Sequence, residues 1–206
     1  METISNALFW ISNGLLVPVI VLLLLFLVRA LILVGGFFGE WFRRSALQKH
    51  LAVLLENGVG DKTEALTQLA GRPQAEKSPL MRAIRQLLAR RDDPAWCERL
   101  LANYEVDAQR ELDQSRTLAK LGPMLGLMGT LIPMGPALVG LAAGDLASMA
   151  YNMQVAFATT VVGLLIAAIG VVTLQVRQRW CARELNHLEF IAQTLHHDKE
   201  PQPTAA

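Results

Sequence analysis

Four threonines interrupt the apolar stretch 121–176: Thr130, Thr159, Thr160 and Thr173, among aliphatic, glycine and proline residues. A buried threonine can donate to the carbonyl one turn back, or it can orient a water, an ion or a carboxylate brought by another chain. It cannot titrate in the physiological range. Between Leu121 and Val176 the single charged residue is Asp145, and no histidine is present. A proton relay inside a membrane needs titratable side chains, so any proton passing this stretch must ride on a group from a different chain. Nucleophile–base pairs and metal-ligand sets are missing from the same stretch. The chain is therefore expected not to be an enzyme, with no catalytic residue, metal or cofactor. Cys97 and Cys181 cannot complete a four-ligand zinc site, and His50, His187, His196 and His197 lack ligand spacing to an acid or a cysteine.

The elements that must position the threonines carry a regular stripe of small residues. Gly122, Gly126, Gly129, Pro133, Pro136 and Gly140 recur at intervals of four and three, as do Ala156, Thr160, Gly163, Ala167 and Gly170. Each set marks one seam of a helix, and small seams let backbones approach closely in lipid. We assign helix packing to Gly122, Gly126, Gly129, Gly135, Gly140, Ala156, Gly163, Ala167 and Gly170. Pro133 and Pro136 distort the first of these helices. They free backbone carbonyls in mid-helix, which places that helix against protein or water rather than lipid.

The overall composition, 52% apolar with 18% charged residues and a net charge of +1, excludes a disordered chain and a strongly basic nucleic-acid binder. The charges are unevenly placed. Between Thr3 and Gly39 only Arg29 is charged. About 20 apolar residues of helix cross a bilayer core, and Ala7–Val28, Leu121–Ala143 and Ala150–Val176 meet that length. The first run has no positive flank before it and no small-residue cleavage pattern after it, so it reads as a retained membrane helix rather than a cleaved signal. Residues 37–120 hold 14 Lys and Arg, and the tail from Arg177 holds four. The N-terminus and the Gly144–Met149 turn hold none. Positive charge favours the cytoplasmic side, which puts the N-terminus outside and the C-terminus in the cytoplasm.

The expected fold is all-α: a polytopic membrane protein with three transmembrane helices and helical cytoplasmic extensions. Its parts are 1–39 (outer N-terminus and first membrane helix), 40–120 (cytoplasmic helical section), 121–176 (hairpin of the second and third membrane helices) and 177–206 (cytoplasmic tail). Within the cytoplasmic section, Ser45–Glu56 reads as an amphipathic helix. Asp61 and Glu64 have capping-box spacing for a short helix ending near Gly71. Ser78-Pro79 opens a helix through Arg90, with Leu80, Ile84, Leu87 and Leu88 on one face. Asp93-Pro94 opens another that can run unbroken into the second membrane helix. The polar tail bearing His196 and His197 reads as disordered.

The order of these elements, with Gly126-Leu127-Met128-Gly129-Thr130 and Ala158-Thr159-Thr160-Val161-Val162-Gly163-Leu164, resembles the MotA/TolQ/ExbB proton channel family, most closely its three-helix TolQ/ExbB type. The resemblance implies a pentameric homo-oligomeric ring around the single membrane helices of an ExbD-, TolR- or MotB-like partner whose membrane aspartate carries the proton. It implies that Thr130 and Thr160, with Thr159 beside them, line the ion pathway, and that the ring works in a bacterial inner membrane, turning proton motive force (or sodium flow, in some members) into mechanical work. Where many ExbB-like members carry a glutamate, this chain has Val155 with Gln154 beside it. A non-conducting membrane scaffold, in which the glycine seams only hold an assembly together, is the alternative. A secondary transporter ranks third because no internal repeat is visible.

Overall fold

The structure is a computed structural model of the chain and describes residues 2–56, 78–90 and 93–197. The expected helix near 61–71 with its Asp61–Glu64 cap lies outside the described residues, as does the tail beyond His197. Five helices are described: α1 (Glu2–Gly14), α2 (Leu16–Glu56), α3 (Pro79–Ala89), α4 (Pro94–Ala142) and α5 (Leu146–His197). No strand occurs among the described residues. Among the described residues three helical stretches are long enough, and each contains a window apolar enough, to cross a membrane: Ala7–Phe42, Pro94–Ala142 and Leu146–Thr194. Each exceeds the roughly 20 residues a bilayer core requires, so each spanning helix continues beyond its apolar stretch.

Three boundaries differ from those read in the sequence. The first membrane segment is broken at Leu15, between α1 and α2. Pro18 has no N–H to offer the Gly14 carbonyl one turn back, and Gly14 itself weakens the helix. The Leu15 N–H bonds to both Ile11 and Ser12 carbonyls, each at 3.1 Å, which tightens the last turn of α1. The hairpin turn is shorter than Gly144–Met149, because α5 already starts at Leu146. The α5 helix also runs through His196 and His197, which the sequence had assigned to a disordered tail; an i, i+4 apolar series (Leu188, Ile191, Ala192) anchors the helix just before them.

The described chain divides into two compact units. The apolar unit comprises residues 1–39 and 113–175. In its core Val19, Leu23, Ala30 and Leu33 of α2 meet Leu118, Leu125 and Ile132 of α4 and Ile166 of α5. The α4 contributors fall seven residues apart, the repeat that keeps one seam facing a neighbouring helix.

The polar unit comprises residues 40–112 and 176–206. Its core is the amphipathic face of α3, with Leu80, Met81, Ala83, Ile84 and Leu87, closed by Cys97 of α4 and Leu188, Ile191 and Ala192 of α5. Ser78 occupies the N-cap position of α3 in an extended conformation, and its side chain makes no capping bond. Asp93 does cap α4: its Oδ1 accepts the Trp96 N–H at 3.1 Å, satisfying one donor of the first turn.

Ile84 and Leu188 are both fully buried in this core. Replacing either by Ala removes apolar contacts and leaves a cavity, so Ile84→Ala and Leu188→Ala should each lower stability by about 2–5 kcal/mol. They share one core, so the double variant should lose measurably less or more than the sum. Thermal unfolding of the purified protein, read by circular dichroism, checks both.

Candidate functional site

The small-residue seams of α4 and α5 meet in the apolar unit. A Cβ at Gly163 would lie 2.7 Å from the Gly126 Cα and 2.8 Å from the Gly122 carbonyl oxygen. A Cβ at Gly122 would lie 2.9 Å from the Ala167 nitrogen, and one at Gly170 would strike the backbone of Ala119. These contacts are to main-chain atoms, which have nowhere to move. Gly126 belongs to the same seam, an added Cβ there lying 3.3 Å from the Gly163 Cα, and Ala156 is buried. Gly135 instead faces the Phe9 ring of α1, and Gly140 lies against the hairpin turn, near the Asp145 carbonyl and the Met149 nitrogen.

On α5 the seam passes through Thr159 rather than Thr160. Thr159 is buried and fills the notch left by Gly129, where an added Cβ would be 2.6 Å from its Cβ and Oγ1. Its hydroxyl lies 2.9 Å from the Ala156 carbonyl and 3.1 Å from that of Val155. Thr160 is half-buried and donates to the Ala156 carbonyl at 3.1 Å, while Thr130, also half-buried, donates to the Leu127 carbonyl at 2.7 Å. Since Gly126 faces the Thr160 Cα and Gly129 faces Thr159, Thr130 and Thr160 lie within about one helical turn of each other in depth. Both hydroxyl protons are spent within their own helices, which leaves the oxygens able to accept.

Pro133 is fully buried, Pro136 is half-buried, and α4 continues as helix through both. The carbonyls of Gly129 and Ile132 thereby lose their usual i+4 donors. Val155 is half-buried and Gln154 exposed.

Two features of the hairpin go beyond the sequence reading. The first is the geometry of its turn. Gly144 has φ +74°, the Asp145 N–H bonds to the Gly140 carbonyl at 2.8 Å, and the Gly144 N–H bonds to that of Leu141 at 3.1 Å. This is the left-handed glycine stop of a helix. Asp145 then caps α5 through its Oδ1, which accepts the Ser148 N–H at 3.0 Å. The pair Gly144-Asp145 was the available signal. The second is a buried hydroxyl pair, Ser115 on α4 and Thr173 on α5, 3.2 Å apart.

The polar unit holds a buried charge cluster that the sequence reading also missed. Arg44 of α2 reaches both carboxylate oxygens of Glu184 of α5 at 3.3 Å and Glu111 of α4 at 3.0 Å. The Tyr104 hydroxyl of α4 donates to Glu184 at 2.6 Å. Arg177 pairs with Glu40 at 3.1 Å. The Arg44 guanidinium lies 5.7 Å from the centre of the Trp180 ring, which packs edge-on against Trp41. Burial pushes the Glu184 carboxyl up from its ordinary value, against the pull of Arg44 and the Tyr104 hydroxyl. Burial and the facing Glu184 push the Tyr104 phenol up. The spacing Trp180, Glu184, Leu188, Ile191, an acid in an otherwise apolar helix stripe, was the signal for this site. Among the described residues no group of His, Cys, Asp and Glu could hold a metal ion.

Three helices long and apolar enough to cross a membrane, two of them joined in a close-packed hairpin, make this a polytopic α-helical membrane protein. The chain matches the MotA/TolQ/ExbB proton channel family over residues 73–190, more than half of its length, and belongs to that family. Members are channel and transducer proteins, and the matched range contains both seams, the threonines and Glu184. No curated protein and no solved structure matches the chain.

The Gly129–Thr159 contact yields a direct test. Gly129→Ala forces a Cβ into the threonine, and Thr159→Gly leaves a gap. The double variant moves the bulk from one helix to the other and should recover part of the loss, with a coupling of about 0.5–3 kcal/mol in a double-mutant cycle. Gly163→Ala meets backbone on the facing helix and should find no such rescue from any side-chain change opposite it. Thermal stability in detergent measures all four variants.

Proposed function

We propose that this chain is the proton-conducting ring subunit of an inner-membrane energy-transducing complex. Several copies surround the membrane helices of a single-span partner, and proton flow through the assembly drives mechanical work. The observation that carries this reading is a hairpin built for close helix approach that holds half-buried Thr130 and Thr160 within about one helical turn of each other in depth but has no Asp, Glu, His, Lys or Arg within 121–144 or 146–176. Family membership supplies the channel role. A proton needs a carrier, and the partner supplies it as a membrane aspartate. The Thr130 and Thr160 oxygens accept from the protonated acid or from an intervening water, which holds the carrier in register between transfers. Thr159, keyed against Gly129, fixes the rotation of α5 that presents Thr160.

On this reading the N-terminus lies outside and the tail in the cytoplasm, as the distribution of Lys and Arg favours. The homo-oligomer is the pentamer that the family resemblance implies.

Affinity purification from gently solubilised membranes should recover a partner with one membrane helix and an aspartate in it. A stable monomer without such a partner would sink the proposal. Thr160→Val is nearly isosteric and should leave assembly intact while lowering proton flux at least tenfold in proteoliposomes carrying the co-purified complex. Full flux in both Thr160→Val and Thr130→Val would instead support a non-conducting scaffold, in which the seams only hold the assembly together.

A further inference from the structure

The charge cluster of the polar unit is out of balance. Two guanidinium groups, Arg44 and Arg177, face three carboxylates, Glu40, Glu111 and Glu184. Arg177 is committed to Glu40, so Arg44 alone serves Glu111 and Glu184. Glu111 is nearly half exposed, with 46% of its side chain accessible, and water can solvate its charge. Glu184 has no such outlet, being only 3% exposed. One proton on Glu184 brings the cluster to neutrality.

The proton has a route. Glu184, Tyr104 and Glu111 line a cavity of about 290 Å3 together with Arg82 of α3, Asp107 of α4 and Cys181 of α5. Its walls carry enough polar groups to hold water. The groups facing Glu184 are Arg44 and Glu40 on α2, Arg82 across the cavity on α3, Tyr104, Asp107 and Glu111 on α4, and Cys181 on its own helix, with Arg177 one step away on Glu40.

We propose that Glu184 is a proton-binding site of the polar unit, and that its protonation state sets how firmly the α2, α4 and α5 segments are held together around it. The inference does not require the membrane hairpin to conduct. With the proton bound, the buried site is neutral in sum: Arg44 pairs with Glu111, and Tyr104 and the Glu184 carboxyl share a hydrogen bond. When the proton leaves to water in the cavity, two carboxylates compete for one guanidinium, and an ionised group stays in a place that water barely reaches. The packed arrangement binds the proton more tightly than a hydrated glutamate does. By linkage its extra stability is fully present below the ordinary glutamate range and is lost as pH rises through the raised Glu184 value.

The test is an infrared pH titration of the whole protein, reading the carbonyl band of a protonated carboxylic acid, alongside amide hydrogen exchange of 100–112 and 176–190 corrected for the intrinsic pH dependence of exchange. Wild type should lose a band with a midpoint above that of an ordinary glutamate, and protection of both segments should fall across the same interval. Glu184→Gln should lack the band and show flat protection. Tyr104→Phe removes a donor to the carboxylate and should move the midpoint up. Glu111→Gln removes a neighbouring negative charge and frees Arg44, and should move it down. These opposite shifts decide the matter even if Glu184→Gln fails to fold. A band that persists in Glu184→Gln, or midpoints indifferent to both Tyr104→Phe and Glu111→Gln, would overturn the proposal.

Discussion

Lipid gives helices no hydrophobic reason to associate, because the alternative neighbour of an apolar side chain is equally apolar. What remains is close contact, and the approach of α4 to α5 at Gly126 and Gly163 is the constraint on which the apolar unit depends. With a Cβ of Gly163 only 2.7 Å from the facing Cα, the backbones are as near as glycine permits. Many weak dispersion contacts are gained along the seam at once. The same approach fixes the rotation of both helices. Rotation decides that Thr159 is a buried wedge and that Thr130 and Thr160 remain partly open. The chemistry available to the hairpin follows from steric fit, since each of its threonines has already given its proton to its own helix.

Much of this architecture was legible in the sequence because its physical causes are local or periodic. Helix period, length against bilayer thickness, and the placement of Lys and Arg suffice for three spanning helices. Ser78-Pro79 and Asp93-Pro94 marked helix starts that the structure bears out in α3 and α4. The break at Leu15 needed a second step: the effect of Pro18 is felt at the carbonyl four residues earlier, behind an unbroken apolar run. The choice between Thr159 and Thr160 was not legible at all. Neighbours on a helix differ by about 100° of rotation, both fit a spacing of three or four, and only the notch at Gly129 separates them.

The charge cluster escaped for a different reason. Arg44, Glu111 and Glu184 lie far apart in the chain, and long-range pairing leaves no local trace. Only the burial of Glu184 was encoded nearby, in the stripe of Trp180, Leu188 and Ile191. Such a cluster is poor as a source of stability. Two charges taken out of water lose several kcal/mol of solvation each, and their attraction often does no more than return it. An apolar trio of similar volume would hold the helices at least as well. The arrangement gains its meaning from what an apolar core cannot do: it ties three helices through directional bonds at 3.0 and 3.3 Å, and, on the proposal for Glu184, its energy depends on a proton.

The two units therefore divide titratable chemistry between them in opposite ways. Within the spanning parts of the hairpin a charged side chain would have to be neutralised, paired or hydrated at high cost wherever it touched lipid, and 121–144 and 146–176 hold no Asp, Glu, His, Lys or Arg. Its seam can then be as narrow as glycine and alanine allow, with no charge to accommodate. In the polar unit the long helices are free to carry acids and bases, and Arg44 there is shared between a buried carboxylate, Glu184, and a half-exposed one, Glu111. On the proposal for Glu184, a chain with no acid or base in its spanning segments but an acid beside a polar-lined cavity responds to pH without carrying the proton across the bilayer itself. On the two proposals made above, sensing and conduction fall to different groups, so each is open to substitution without disturbing the other.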